Sequence, residues 1–376
     1  MYRHLLAKLT HWQPEWKEHT LKNTLLLVAL ILDQKTLNLW KLKGSVGKLL
    51  GNTHTDSRSH YQRLKRWLWQ GVGQKRLWVQ IVAASHQLLT RKTSVLVLDG
   101  SSWQSGGVCY HFLTLCVLTL CVIYRGVSVP VWWLDLGRMG SSHYHHRKLL
   151  LKAALLVLDL RGKTLVADRE YIGQAWFRFL LEKGLFFVIR IRTHDYQPCI
   201  EAQGRPVGKL ENKAKAAVGR PVWKRFQMGG QTYIYVLVAY RNRNRKTEWL
   251  RLLTTLSPAQ ALKAYGQRYR VESMFKHLKS NGFDLESLNV KHSYKVQLMM
   301  AVVVLAYSLA VVYGLADFKR RISLKKHGCP QMSVFRFGLD KWQNHLQSLE
   351  HFVGQLIRYW TQWKKAKSNC SPAHVP

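Results

Sequence analysis

Three carboxylates in this chain could bind metal ions for phosphoryl-transfer chemistry. Asp99 and Asp168 each follow a buried, apolar strand pattern, and Glu272 is the only carboxylate in the stretch 257–282. Carboxylate oxygens are the ligands that Mg²⁺ and Mn²⁺ prefer, and two such ions stabilise the attacking and leaving oxygens of a phosphoryl transfer. The sequence therefore predicts a two-ion site built from these three side chains.

Cationic and phenolic side chains lie at helical spacing around Glu272. At about 100° per residue, the face that carries Glu272 also carries Tyr265, Arg268, Lys276 and Lys279. We interpret Glu272 as a metal ligand, with the cations and Tyr265 binding phosphates. The alternative is a solvated face with weak ion pairs at i,i+4 spacing. A separate apolar stripe should face the core, formed by Val271, Phe275 and Leu278.

The stretch 257–282 is predicted to be one long helix with both ends marked. Ser257 is a good N-cap, Pro258 suits the first helical position, and Gln260 completes a capping box. Asn281-Gly282 is a stop signal, because glycine adopts the left-handed conformation without strain.

Simpler interpretations exist for the two aspartates. Asp99 could cap the turn at Gly100, and Asp168 could pair with Arg169. Glu170 is the nearest substitute for Asp168 as a ligand. The metal interpretation gains weight from the combination of all three acids with the surrounding cations.

The elements that must position these acids follow from the hydrophobic pattern. Strands are predicted at 94–100, 111–123, 127–134, 163–168 and 185–191, and helices at 146–159 and 172–183. Parallel strands joined by crossover helices place ligands at their carboxyl ends, where Asp99 and Asp168 lie. Pro130 indicates an edge or bulged position in the third strand.

The whole chain is predicted to be an α/β protein in five segments. These are a helical, basic segment 1–90, the first part of the core 91–192, a β-rich insertion 193–247, the second part of the core 248–318, and a basic helical region 319–376. Strands are expected at 222–227, 232–240 and 249–254, and helices at 296–315 and 340–364.

The charge balance indicates a polyanionic partner. The chain carries 58 Lys and Arg against 20 Asp and Glu, a net charge of +38 spread along its length. Nucleic acid is favoured over a membrane surface. A helix at 55–69, capped by Thr55 or Asp56, is interpreted as a DNA-groove helix that presents Arg58, Arg63, Lys65 and Arg66. A solvated amphipathic helix is the alternative.

Cysteine usage and hydropathy suggest a cytoplasmic location. The six cysteines show no CxxC pair or zinc spacing, and the N-terminus has no signal-peptide pattern. The apolar run Leu298–Ala316 is long enough for a membrane span, but we interpret it as the central helix of a large domain.

At these residues the chain resembles a known family, the DDE transposases of bacterial insertion sequences, in the insertion-sequence-4 type group. The resemblance spans roughly 55–310. The hallmark Tyr-x2-Arg-x3-Glu-x6-Lys is matched by Tyr265, Arg268, Glu272 and Lys279. The segments around Asp99 (99–103) and Asp168 (167–173) look like the family's first-acid and second-acid motifs.

The resemblance implies an RNase H-like core with a β-insertion before the glutamate. The helical, basic segment 1–90 that precedes this core is interpreted as a DNA-binding domain. The resemblance also implies metal-dependent cut-and-paste transposition through hairpin ends, by a dimer that acts on the terminal inverted repeats and on target DNA. Two Mg²⁺ or Mn²⁺ ions would be held by the three acids, and the location would be the bacterial cytoplasm at the nucleoid. Rival interpretations are a metal-dependent nuclease without strand transfer and an inactive DNA-binding relative.

The chain departs from the family pattern after the third strand. Relatives carry Gly-Asn-Ser there, whereas this chain has Gly140-Ser141-Ser142. The adjacent His143, His145 and His146 could be a metal site, but a DNA-facing or merely polar loop is favoured. Trp249 lies on the strand where relatives stack a flipped base, and a core tryptophan is the alternative.

Overall fold

The computed structural model describes residues 17–52, 54–73, 77–89, 94–105, 113–136, 142–202, 204, 206–242, 244–290, 292–326 and 328–368. The chain divides into two compact units. The first comprises Met1–Arg91, Trp103–Thr114 and Phe275–Pro376, and the second comprises Lys92–Ser102 and Leu115–Met274.

A mixed sheet of eight strands forms the second unit. The strands are β1 Val95–Ser105, β2 Leu113–Tyr124, β3 Val127–Asp135, β4 Thr164–Ala167, β5 Phe186–Arg190, β6 Val222–Met228, β7 Gln231–Arg241 and β8 Thr247–Thr254. Their order is β3-β2-β1-β4-β5-β8-β7-β6. The fold is thus mixed α/β, as the sequence predicts, and the strands of the insertion extend the central sheet instead of forming a separate one.

The centre of the sheet is parallel. β1 pairs with β4, with Leu98 opposite Ala167, and β4 pairs with β5, with Ala167 opposite Ile189. These strands are rich in Val, Leu and Ile and are buried on both faces, as parallel strands covered by helices usually are. The carboxyl ends of β1 and β4 therefore meet at one edge of the sheet.

A hairpin joins β2 to β3, as the sequence predicts. Its turn residues, Arg125 and Gly126, have φ angles of 48° and 85°, which suit the right-handed twist of a two-residue hairpin. The register shifts between Leu120 and Cys121, and Cys121 stands opposite Pro130. Because β3 also lies at the end of the strand order, both parts of the Pro130 prediction are confirmed.

Helices α5, Tyr144–Leu155, and α6, Gln174–Glu182, connect the strands of the core. In the segment 193–247 two further helices precede the strands, α7 Gln197–Glu201 and α8 Val207–Ala216. The sequence interpretation missed both. The α8 helix packs on β6 and β7 through Leu210 and Ala214, so its apolar positions are spaced for one buried face.

The prediction of one helix over 257–282 is wrong. The structure has α9, Pro258–Tyr265, then a turn, and then α10, Arg270–Leu278. Between Gln267 and Glu272 the backbone hydrogen bonds run from an N–H to the carbonyl three residues earlier, as in a 3₁₀ turn. The chain tightens in this way after Gly266, because glycine is a poor helix former. The capping box of Ser257 and Gln260 and the proline at the start are confirmed.

Helices make up most of the described part of the first unit. They are α1 Glu18–Gln34, α2 Leu39–Leu50, α3 Ser57–Gly73, α4 Leu77–Gln87, α11 Ser293–Arg321, α12 Val334–His345 and α13 Leu349–Ser368. The α11 helix packs against α1, α3, α4 and α12. The predicted helix 340–364 is divided between α12 and α13, which are separated at 346–348.

The α11 helix contains a stretch long and apolar enough to cross a membrane, Tyr294–Phe318. In its most apolar window 94% of the residues are buried inside the protein, as expected for the central helix that the sequence predicts. The α12 helix crosses it with the backbones in contact, because Gly338 lies against Ala310 and Gly314.

Candidate active site

Asp99 and Asp168 occupy equivalent positions on neighbouring parallel strands. The paired register of β1 and β4 stops at Leu98 and Ala167, and each aspartate is the next residue. The prediction that the strand ends with Asp99 and Gly100 is wrong, because β1 continues to Ser105. Asp99 is nevertheless the first residue beyond the pairing with β4, so the two carboxylates lie side by side.

Each aspartate divides its two carboxylate oxygens between two partners. Oδ1 of Asp99 accepts the N–H of Gly100 at 3.0 Å, and Oδ1 of Asp168 accepts the N–H of Arg169 at 2.8 Å. The capping alternative is therefore confirmed for one oxygen of Asp99, whereas Asp168 contacts Arg169 through the backbone N–H of that residue. The second oxygens, Oδ2 in both cases, are 3.4 Å and 3.3 Å from Nη2 of Arg268.

Arg268 brings all three predicted ligands together. Its Nη2 contacts Asp99 and Asp168, and its Nη1 lies 3.1 Å from Oε1 of Glu272. This is the i,i+4 pair with Glu272 that the sequence offers as an alternative, but the same guanidinium also binds the aspartates. The turn between α9 and α10 carries Arg268 to this position.

Burial differs among the three acids and changes their chemistry. The side chains of Asp99, Asp168 and Glu272 are 17%, 25% and 58% exposed, so Glu272 lies at the entrance of the site. Burial raises the pKa of Asp99 to about 6, and Arg268 opposes that rise. An additional positive charge beside Asp99 would therefore be bound favourably.

The donor set fits a hard divalent cation. Oxygens of Asp99 and Asp168 converge on one cationic atom, which is the arrangement that a metal ion needs from its ligands. Within the described residues no group of three or more His, Cys, Asp or Glu side chains is close enough to hold one ion. The reason is geometric, because the guanidinium of Arg268 lies between Glu272 and the two aspartates.

The structure places Tyr265 beside the carboxylates, but it does not test the predicted position of Lys279. Burial, followed by the nearby charge of Asp168, raises the pKa of Tyr265, so the phenol lies beside the carboxylate site. Lys279 belongs to the first unit and follows the end of α10, with its N–H bonded to the carbonyl of Phe275. Its placement near the acids remains a prediction.

The sequence interpretation missed Arg147, a buried arginine behind the turn that carries Asp168. Its side chain is hydrogen-bonded to the backbone of Glu170 and Ile172. Basic residues are so frequent in this chain that one more arginine at the start of a helix gives no signal.

The histidine cluster caps a helix. His143 is the N-cap of α5, and Nδ1 of His146 accepts the N–H of His143 at 3.3 Å. The three rings belong to no candidate metal group among the residues that the structure describes. Gly140 and Ser141 lie outside the described residues.

Trp249 lies on β8 among cationic side chains. The guanidinium of Arg251 is 5.1 Å and the ammonium of Lys215 is 6.0 Å from its ring. The ring is half-buried, so it is neither a fully buried core residue nor fully open to a ligand. Base stacking by Trp249 remains a prediction.

A cationic surface lies on α3 in the first unit. Asp56 caps the helix by accepting the N–H of Arg58 at 2.9 Å, as predicted. Arg58, Lys65 and Arg66 are exposed, whereas Arg63 is half-buried and donates to Asn23.

A cavity of about 340 Å³ adjoins this surface. It is lined by Arg63 and Arg66 together with His19 and His60, and no carboxylate is among its lining residues. Its chemistry suits an anion such as a phosphate group.

A protein-family model matches the chain. The model of the transposase DDE domain matches residues 91–309, which is more than half of the chain and includes Asp99, Asp168, Arg268 and Glu272. No curated protein matches the chain. Among solved structures, the chain is similar to that of the piggyBac transposase synaptic complex with hairpin DNA. The identity is 13% and the TM-score 0.47, over 96% of this chain and 78% of that one.

Proposed function

The chain belongs to the transposase DDE-domain family, and we propose that it catalyses cut-and-paste transposition of a bacterial insertion sequence of the insertion-sequence-4 type. The observation that carries the proposal is the convergence of Asp99, Asp168 and Glu272 on Arg268. Two of these acids extend from adjacent parallel strands and the third from a helix. The order β3-β2-β1-β4-β5 within the sheet supports an RNase H-like core.

The three carboxylates would hold two Mg²⁺ or Mn²⁺ ions. When bound, these ions supply the positive charge that stabilises the attacking and leaving oxygens of the phosphodiester. Before that, Arg268 neutralises the carboxylates and keeps their oxygens directed at one point. Its release would leave the guanidinium available for a DNA phosphate next to the cut.

The reaction proceeds by in-line displacement at phosphorus. A water oxygen bonds to the phosphorus at the end of the element, and the bond to the 3′ oxygen breaks to release a 3′-OH. The oxygen of that hydroxyl then bonds to a phosphorus of the opposite strand to form a hairpin, and the bond from that phosphorus to the 3′ oxygen of the flanking DNA breaks, which releases the flanking DNA. A second water oxygen bonds to the hairpin phosphorus, and the bond to the 3′ oxygen breaks to restore the 3′-OH. The 3′-OH finally bonds to a phosphorus of the target DNA, and the bond from that phosphorus to the 3′ oxygen of the target strand breaks.

Several side chains outside the carboxylate site would bind the DNA. Arg268 and Lys279 would bind the phosphates beside the scissile phosphate, and the hydroxyl of Tyr265 would donate a hydrogen bond to a phosphate oxygen. Trp249 would stack on a displaced base. The α3 surface would contact the terminal inverted repeat, with Arg58, Lys65 and Arg66 open to the duplex. A homodimer would pair the two ends of the element.

The experiment is an end-cleavage and strand-transfer assay with the full chain. A labelled duplex from the DNA that flanks the gene, containing its inverted repeat, is incubated with Mg²⁺ and a target plasmid. Labelled product joined to the plasmid is expected. Cleavage without joining would identify a nuclease, and end binding without cleavage would identify an inactive relative, so either result overturns the proposal.

A further inference from the structure

Arg147 is only 6% exposed, and its guanidinium makes four hydrogen bonds within the protein. Its Nε donates to Oγ of Ser142 at 3.2 Å, and its Nη1 donates to the carbonyl of Ile172 at 3.2 Å. Its Nη2 donates to the carbonyls of Ser142 at 2.7 Å and Glu170 at 2.6 Å. One guanidinium therefore joins the segment before α5 to the turn after β4.

That turn carries Asp168. The N–H of Tyr171 donates to the carbonyl of Asp168 at 3.0 Å, which closes the turn. Arg147 also stacks over the ring of Tyr171, with its guanidinium carbon 5.2 Å from the ring centre. The direction of the Asp168 side chain depends on the turn, and Arg147 binds the turn from behind.

Tyr171, on which Arg147 stacks, also lies close to the strand that carries Asp99. Tyr171 is fully buried, and its hydroxyl lies 3.5 Å from the position that a Cβ would take at Gly100. Gly100 directly follows Asp99. The layer of Arg147, Tyr171 and Gly100 thus connects the turn that carries Asp168 to the strand that carries Asp99.

We propose that Arg147 is a positioning residue that fixes the separation of the Asp99 and Asp168 carboxylates for metal binding. This inference rests on the proposed function, because it assigns Arg147 to the same carboxylate site. Arg147 touches neither the metal nor DNA in this proposal. It acts through the backbone of the Asp168 turn and through Tyr171.

Two physical arguments favour positioning over simple stability. All four acceptors are uncharged oxygens, and burial lowers the pKa of Arg147, so the protein bears a desolvation cost that an apolar side chain would avoid. In addition, the planar guanidinium of an arginine holds its donors far enough apart to reach acceptors in two loops at once, whereas the donors of a lysine all lie on one nitrogen. Geometry, more than energy, accounts for an arginine here.

The test is Mn²⁺ binding by the full-length, DNA-free protein, followed through the loss of the electron paramagnetic resonance signal of free Mn²⁺. The variants are Arg147→Met, Arg147→Lys and the milder Ser142→Ala, which removes only the bond from Nε. Arg251→Lys is the matched control, because Arg251 is 9% exposed but pairs with Glu211. Thermal melting confirms that each variant is folded.

We expect Mn²⁺ binding at least tenfold weaker for Arg147→Met, intermediate for Arg147→Lys and Ser142→Ala, and unchanged for Arg251→Lys. Unchanged Mn²⁺ binding in folded Arg147→Lys and Ser142→Ala would overturn the inference, even if Arg147→Met does not fold. Equal weakening in Arg251→Lys would also overturn it, since the effect would then be general. Failure of the wild-type protein to bind Mn²⁺ would instead refute the metal site itself.

Discussion

At the scale of single residues, the site depends on how each aspartate divides its two oxygens. One oxygen of Asp99 and of Asp168 accepts a backbone N–H, which fixes the orientation of the carboxylate. The other oxygen of each is directed at Arg268. The sequence predicts all three acids as one group, because strand-end patterns and helix spacing are local. It could not predict that Arg268 would lie among them, because that contact joins residues distant in the chain.

The first prediction concerns Arg268, because its guanidinium lies among the three carboxylates, where a metal ion would bind. Arg268→Ala should bind Mn²⁺ as tightly as the wild-type protein or up to about tenfold more tightly, because a competing charge has been removed. DNA cleavage at saturating Mg²⁺ should fall about a hundredfold or more, because a donor to the DNA phosphates is lost. Manganese titration and a cleavage time course measure the two effects.

The control for Arg268 is Lys276→Ala, a charge removal at an exposed position of α10. It should leave Mn²⁺ binding unchanged and reduce only general DNA affinity. If Arg268→Ala instead weakens Mn²⁺ binding by more than tenfold, the guanidinium is part of the metal site and not a substitute for the ion.

At the scale of secondary structure, most elements lie where the hydrophobic pattern places them. The exceptions have different causes. The helix predicted at 257–282 is interrupted where Arg268 turns toward the acids, and Arg270 beyond it donates to the carbonyl of Gly126. The helices α7 and α8 were missed because their segment is short, polar and rich in basic residues.

The packing of His277 on α10 leads to a prediction for pH. Burial lowers its pKa to about 4, and its ring stacks on Phe335 at 4.6 Å. A lowered pKa means that the folded state favours the neutral ring. The contribution of His277 to the free energy of unfolding is therefore fully present above pH 6.5 and is lost as the pH falls toward 4. His277→Gln does not titrate. The stability advantage of the wild-type protein should shrink by up to roughly 3 kcal/mol over this range.

Unfolding at pH 7, 5.5 and 4.5 measures this difference. Subtracting the variant from the wild-type protein removes the contribution of the other titrating groups, which both proteins share. An advantage that stays constant with pH would show that His277 titrates normally and is not buried as described.

The crossing of α11 and α12 leads to a prediction for stability. A Cβ at Gly338 would overlap the carbonyl of Ala310 and lie 2.8 Å from the nitrogen of Gly314. Gly338→Ala should therefore destabilise the protein by roughly 3 kcal/mol, because the two helices must separate. The free energy of unfolding in denaturant measures the change.

Gly354→Ala is the matched control, since nothing lies within 4 Å of its Cβ position in the helix α13. It should be neutral or stabilising by up to about 1 kcal/mol, because alanine favours the helix. If Gly338→Ala also proves neutral, the close approach of α11 and α12 is incorrect.

At the scale of the whole molecule, net charge and topology carry the functional argument. The charge of +38 and the general α/β class follow from composition and periodicity alone. The grouping of the N-terminal with the C-terminal helices could not be inferred from periodicity. Because α11 packs on α1, α3 and α4, removal of residues 1–90 would uncover an apolar helix. The DNA-binding role proposed for this segment is therefore best tested by surface substitutions.

The surface prediction concerns the salt dependence of binding to duplex DNA. Log K against log salt should have a slope steeper than about −3, with each phosphate contact contributing about −0.9. The double variant Lys65→Ala, Arg66→Ala should lower the magnitude of the slope by about 1 to 2. Fluorescence anisotropy between roughly 50 and 200 mM salt measures both slopes.

The control is Lys152→Ala, which removes one charge at an exposed position on α5 in the second unit and should not change the slope. A slope near zero for the wild-type protein would contradict a phosphate-binding function. Equal changes in both variants would show that binding is spread over the surface and not concentrated on α3.

The central claim is that Asp99, Asp168 and Glu272 form the site that cleaves DNA, and Mg²⁺-dependent cleavage of a labelled element end tests it most directly. Asp99→Asn, Asp168→Asn and Glu272→Gln should each reduce cleavage by about a thousandfold or more while end binding stays nearly intact, because each removes a metal ligand. Glu170→Gln, within the Asp168 turn, should retain cleavage. Near-normal cleavage by any of the three variants would contradict the account at that residue, and loss of cleavage in Glu170→Gln with retention in Asp168→Asn would transfer the role to Glu170.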